Sequence, residues 1–304
     1  VRIVSLLPSA TEIVYALGLG DQLEGVTFEC DFPQDARSKP VVSDTELPQD
    51  RPLSARDTER LVTERLERRE PIASLDEDML AKINPELVIT QDLCPACGVT
   101  APQVRDALQR LGIDARVVAL DPHTLDEVLE GIQTVGRATG TEAAAADLIG
   151  GLRSRVDAVK RRAMPLPTFR TLCLGWGDPP YVAGLWAPQM VELAGGANAL
   201  GAVGEASFRV SWHEVATALP EVIVFMPCGY YLEDAEEEAA MLYRLPDFAE
   251  TPAARVGGVY AVDATSYFSR PGPRIVDGLE ILAWAIHPDA FPEPKPGRIA
   301  RVRG

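Results

Sequence analysis

The chain has 304 residues, 46% of them hydrophobic and 24% charged, and a formal net charge of −16. That composition is ordinary for a globular chain long enough for one large or two average domains, with a core that needs no staples. The negative charge excludes nucleic acid and anionic membrane surfaces as partners, because both require a cationic footprint.

Residues 3–6 read as a buried strand that begins at once, without a leader ahead of it. On that reading the chain is cytoplasmic if Val1 is its native start, and extracytoplasmic if a leader has been removed. Ser9 and Glu12 stand at capping-box spacing, and the helix they open is expected to stop at Gly18. Residues 26–28 read as a second strand. Residues 51–70 read as an inserted surface helix, with Leu53, Leu61, Val62 and Leu66 as a narrow apolar stripe among Arg and Glu. Next come a helix over 75–83, a strand ending at Thr90, a helix over 102–111, a strand over 115–120 and a helix over 125–139. This alternation predicts a parallel sheet covered by helices.

Residues 142–163 predict one helix of roughly 33 Å at 1.5 Å per residue. Gly150-Gly151 weakens it locally, and Pro165 and Pro167 stop it. The second half then repeats the first in outline. A strand over 171–174, a helix over 188–193, a strand over 222–225 after Leu219-Pro220, a strand over 259–262 and a helix over 275–286 follow in order. The proline-rich tail after His287 is expected to be loose. The expected fold is α/β: two Rossmann-like lobes with parallel sheets, 1–140 and 166–304, joined by one long helix over 141–165, with a ligand cleft between the lobes.

In parallel α/β sheets, ligands bind beyond the carboxyl ends of the strands. The second half places many aromatics there, among them Trp176, Tyr181, Trp186, Trp212, Tyr230, Tyr267 and Phe268. Rings in loops suit a large, flat, partly apolar ligand, or else each packs against its own lobe. Arg270 offers a fork of donors to an acidic or amide group, or ties a loop carbonyl. The five cysteines are an odd number, which leans toward a reducing compartment. Cys94-Pro95-Ala96-Cys97 has three readings: a redox pair, half of a zinc site with Cys30, Cys228 and His123 as scattered partners, or thiols lining a loop. His123 reads as a loop contact, His213 lies beside Trp212, and His287 ends the last helix, where a cation is favoured. No apolar run approaches the ~20 residues of a bilayer span. No triad, G-x-S-x-G or phosphate loop is present, so the chain is expected to bind rather than catalyse, with no catalytic or metal-holding residue assigned.

Ser5-Leu6-Leu7-Pro8-Ser9-Ala10-Thr11-Glu12 resembles the first strand–helix turn of the cobalamin-binding proteins of ABC importers, a group that includes siderophore and haem binders. Asp178-Pro179-Pro180-Tyr181, Arg209-Val210-Ser211-Trp212 and the segment from Tyr267 to Arg274 fit the same group in order. The resemblance implies a monomer holding a corrinoid between its lobes, as ligand and not as cofactor. It implies that Tyr181 and Trp212 pack on the corrin and that Arg270 and Tyr267 reach the ring's side chains. Trp186 and Phe268 lead beside them, with Gln91, Asp92 and Cys30 opposite. It also implies that Asp78 and Glu214 dock the protein on a permease, without membrane insertion. Gln91-Asp92-Leu93-Cys94 stands where the cobalamin binder carries a Trp, and Glu29 and Cys30 lie near where it places an aromatic, so the first-lobe side is more polar and thiol-rich. Two other readings stand beside this one: a ferric siderophore, haem or bare metal in the same cleft, and a cytosolic redox enzyme or sensor using Cys94 and Cys97.

Overall fold

The computed structural model describes residues 1–48, 55–92 and 98–304. The chain divides into two compact units, one of residues 1–122 and 127–150, the other of residues 123–126 and 151–304.

The first unit holds strands β1 (Ile3–Ser5), β2 (Leu23–Thr27), β3 (Val41–Thr45), β4 (Ala73–Leu75), β5 (Leu87–Thr90) and β6 (Arg116–Ala119). Their order is β4-β3-β2-β1-β5-β6, parallel except where β4 runs against β3. The chain lays strands to one side of β1, then crosses to the other side with β5. The reversal makes the carboxyl ends of β1 and β5 the topological switch point, where such sheets take ligands. Val4, Leu6, Val42, Leu80, Val88, Val104 and Leu108 form a core beneath the helices.

Those helices are α1 (Pro8–Ala16), α2 (Ala55–Glu67), α3 (Glu77–Ile83), α4 (Ala101–Leu111) and α5 (Leu125–Thr139). The Ser9–Glu12 capping box is not formed. Helix α1 starts at Pro8 with no side-chain cap, and both residues are buried inside it. Proline's missing N–H and fixed φ start the helix two positions earlier than an N-cap at Ser9 would. A true capping box opens α4 instead, from Thr100 and Gln103. Helix α2 lies within the stretch read as an insertion, while Leu53 falls outside the described residues. Helix α6 (Glu142–Ala163) runs unbroken for 22 residues, and the division between the units falls inside it, at Gly150-Gly151.

The second unit holds β7 (Phe169–Gly177), β8 (Pro180–Val182), β9 (Gly196–Asn198), β10 (Phe208–Arg209), β11 (Val222–Phe225), β12 (Val259–Val262) and β13 (Ile299–Arg301). The order β10-β8-β7-β11-β12-β13, with β9 also on β7, is mixed. β9, β7, β11 and β12 are parallel, whereas β8, β10 and β13 pair antiparallel. The sheet is therefore mostly parallel, with antiparallel pairing on both flanks. The tail is not loose: Tyr260 pairs with Arg301 and Val262 with Ile299, and Val302 joins the core with Leu172, Ile223, Phe225 and Val259. Burying Val302 and completing the edge hydrogen bonds of β12 offset the cost of ordering the tail.

Helices α7 (Ala187–Leu193), α8 (Trp212–Thr217), α9 (Leu232–Leu242), α10 (Pro246–Ala249), α11 (Pro252–Val256), α12 (Ala264–Tyr267) and α13 (Ile275–Ile286) complete the unit. Gly278 is required where α13 crosses α12, because a Cβ there would overlap the Tyr267 carbonyl. Arg155 on α6 bonds both Glu280 and Asp277 and so fastens the second half of the long helix to α13.

Candidate ligand-binding site

The strand-end face of the first unit is built on a relay of small polar groups. Ser5 Oγ donates to the Leu7 carbonyl at 2.9 Å, and Thr11 Oγ1 donates to Ser5 Oγ at 2.9 Å. Each hydroxyl has one proton, so the Cys30 thiol, 3.0 Å from Thr11 Oγ1, is the donor in that last contact. Cys30 is only 5% exposed. It is a buried brace for the loop after β2 and not the exposed ligand contact expected of it. The rings on either side of it are exposed instead, Phe28 at 44% and Phe32 at 45%. Sequence reasoning marked the strand-end segment from Glu29 to Pro33, which holds Phe32, but singled out Glu29 and Cys30 and neither ring. The available signal was their position: two aromatics at the carboxyl end of an inner strand.

Gln91 follows β5, is buried, and bridges to Thr100. Asp92 is exposed but engaged. Its carboxylate accepts the Ala101 N–H at 2.8 Å, at the start of α4, and its own N–H donates to Asp121. The structure thus gives Asp92 a capping duty the sequence did not reveal. Cys94 and Cys97 lie outside the described residues.

In the second unit, β7 is the first strand laid and β11 and β12 extend the sheet on one side of it, so the ends of β7 and β11 are where ligand-facing groups are expected. Trp176 near the end of β7 pairs across strands with Tyr181 on β8, and Tyr181 with Arg209 on β10. Tyr230, in the loop after β11, meets Trp176 edge-on at 5.6 Å between centroids. Tyr267 lies between two guanidinium groups, Arg298 at 4.8 Å and Arg274 at 5.7 Å from its ring. Burial raises the Tyr267 phenol above its ordinary range, while Arg298 opposes the rise.

Three of the expected contacts are buried. Trp186 is 6% exposed and donates its indole N–H to the Phe268 carbonyl at 2.9 Å, and Phe268 is 4% exposed. Arg270 is buried as well. Each was read as a ligand-facing group because loop residues near strand ends look alike in sequence, whether they face out or in. Trp212 is half-buried and leans edge-on against Phe248 at 5.5 Å.

Of the two acidic residues expected to dock a partner, Asp78 is exposed in the first turn of α3. Glu214 closes the capping box of α8, accepting from the Ser211 backbone N–H and hydroxyl, both at 2.7 Å. These bonds hold its carboxyl below the usual range. Both fall on Oε2 and neither on Oε1.

The histidines and remaining thiols separate by burial. His123 Nδ1 lies 3.1 Å from the Gly204 carbonyl, the loop contact expected of it. His287 is not an exposed helix-end cation. It is buried between Phe169 and Phe291, with ring centroids 5.6 and 6.3 Å away, and burial lowers its pKa. Burial pushes the Cys173 thiol up to about 12, which makes it inert. Among the described residues, no group of three or more His, Cys, Asp or Glu is arranged to hold a metal, and no helix is long and apolar enough to cross a membrane.

Two mostly parallel sheets with aromatic-bearing loops at their carboxyl ends are the architecture of a binding protein. Residues 3–265 match the periplasmic binding protein family, and the chain belongs to it. The family's members are solute-binding proteins, not enzymes. The chain is 25% identical over 299 residues to an ABC transporter substrate-binding lipoprotein of Bacillus subtilis, covering 96% of this chain and 82% of that one. It is 26% identical over 291 residues to a cobalamin-binding protein of Halobacterium salinarum, covering 94% and 69%. Among solved structures it is similar to a periplasmic haem-binding protein of Roseiflexus sp. RS-1, with 25% identity, a TM-score of 0.69, and coverage of 95% and 98%.

Proposed function

We propose that this chain is the substrate-binding component of an ABC importer and that its ligand is a corrinoid, bound reversibly as cargo. The observation that carries the reading is the ring-lined strand-end face of the second unit: Trp176, Tyr181, Tyr230 and Tyr267, with Arg274 and Arg298 flanking the last. A corrin offers a broad apolar plane to such rings and amide side chains to such donors. Phe28 and Phe32 give the first unit the apolar surface that its buried Cys30 and engaged Asp92 do not. The cobalamin-binding relative supports the ligand class.

The same chemistry supports docking. Asp78 and Glu214, both exposed, would accept arginines of a permease, and a partner permease implies a location outside the cytoplasm. A lipoprotein relative agrees with that location. Membership of a family of solute-binding proteins leaves the redox-enzyme reading without support.

A second reading, haem or a ferric siderophore on the same face, draws on the haem-binding structural neighbour. Parallel absorbance titrations with cyanocobalamin, hemin and a ferric hydroxamate separate the two. Saturable binding of cyanocobalamin in the micromolar range or tighter, about −8 kcal/mol or better, supports the corrinoid. Saturation by hemin or the hydroxamate alone replaces it.

A further inference from the structure

Tyr230 is held firmly at its backbone. Its N–H donates to the Pro227 carbonyl and its own carbonyl accepts the Thr265 N–H, both at 3.1 Å. Those bonds fix the main chain but leave the side-chain rotamer open. The ring packs on the core of the second unit, and its hydroxyl faces the Glu238 carboxyl on α9. Glu238 reaches over the last residue of β7: a Cβ on Gly177 would stand 2.8 Å from its Oε1, so the glycine opens the space that the carboxyl fills. The ring held in this way meets Trp176 edge-on at the end of β7.

We propose that Glu238 is a positioning residue: its carboxyl fixes the Tyr230 ring against Trp176 and so sets the shape of the face on which the ligand rests. The proposal deepens the binding function given above and rests on it for the ligand, though not for the geometry.

Glu238 sits in a costly place for an acid. Burial raises its pKa first, the Asp178 carboxylate just past β7 raises it further, and the Tyr230 hydrogen bond opposes both. Asp234, on the same helix, acts on the Tyr230 hydroxyl. On the strands packed against α9, Arg301 of β13 is bonded to the Gly257 and Val256 carbonyls. A half-buried acid with a like charge beside it is poor for stability, and such groups cluster at functional sites.

The test begins without ligand. Trp176 emission, isolated as the difference between the protein and Trp176→Phe, is followed against pH in the wild type, Glu238→Gln and Glu238→Ala. The wild type is expected to show an inflection above the ordinary glutamate value of 4.5. Glu238→Gln should lack that inflection, and Glu238→Ala should shift the emission throughout while the far-ultraviolet circular dichroism stays native. Matching pH profiles in the wild type and Glu238→Gln overturn the proposal.

Cyanocobalamin is the second probe. Glu238→Ala is expected to bind it about tenfold more weakly, and Glu238→Gln, which keeps an acceptor for the Tyr230 hydroxyl, within about threefold of the wild type. Equal affinity of the wild type and Glu238→Ala, or equal loss in both variants, overturns it. A wild type that does not bind cyanocobalamin overturns the corrinoid reading alone, and the emission profiles then decide the role of Glu238.

Discussion

The Trp186 indole N–H donates to the Phe268 carbonyl at 2.9 Å, 82 residues away in sequence, and both side chains are buried. This bond ties the turn before α7 to the end of α12, where Tyr267 presents its ring. Trp186→Phe keeps most of the apolar volume but leaves that carbonyl without its donor. The expected cost is about 1–3 kcal/mol of unfolding free energy, the penalty for an unsatisfied buried acceptor. Urea denaturation measures it, and an unchanged midpoint would remove the bracing role.

Gly278 gives a sharper test of the same junction. A methyl there collides with the backbone of Tyr267 and not with a side chain that could turn aside. Gly278→Ala is expected to destabilise by about 2–3 kcal/mol and to displace α12. Its thermal melt should fall by many degrees, whereas Gly150→Ala, where a Cβ meets nothing within 4 Å, should melt at or above the wild-type temperature.

His287 sets a pH dependence with a definite sign. Its folded pKa is lowered below 6.5 by burial, with the Gly195 backbone partly opposing. The unfolded chain therefore takes up a proton first as pH falls. Stability is full above 6.5, declines as pH drops through the interval below it, and levels off once the folded state also protonates. His287→Leu should flatten that part of the stability–pH curve, read by denaturation at a series of pH values. A curve of the same slope in the variant would place the titrating group elsewhere.

Phe28 and Phe32 are exposed, so their removal should separate binding from folding. Phe28→Ala and Phe32→Ala are each expected to weaken ligand binding by about tenfold, roughly the value of one ring contact. Their melting temperatures should stay within about a degree of the wild type, as surface substitutions generally do. Lost stability without lost affinity would mean that the rings serve the fold.

The alternation of apolar runs and helical stretches made the inner strands β1, β5, β11 and β12 and the long helix legible, because those strands are buried along their whole length and the helix is long enough to carry its own period. Strands β8, β10 and β13 were not legible. They are two or three residues long, lie in the antiparallel flanks of the sheet, and exist because a neighbour supplies the hydrogen bonds. The prolines before Ile299 pointed to a loose tail, yet three residues beyond them complete an edge and Val302 enters the core. The strand-end rule located the candidate site, but it could not sort ring from prop. Trp186 and Tyr267 both occupy loop-like positions near strand ends, and only the fold shows that one is a buried donor while the other lies between two arginines.

The most direct measurement is a calorimetric titration of the wild type and of a Trp176→Ala, Tyr181→Ala double variant with cyanocobalamin. Saturable binding of one guest per chain, lost or weakened about a hundredfold in the double variant while its fold is retained, is the expected result. No heat from the wild type at tens of micromolar, or equal binding by both proteins, contradicts a corrinoid resting on the ring-lined face of the second unit.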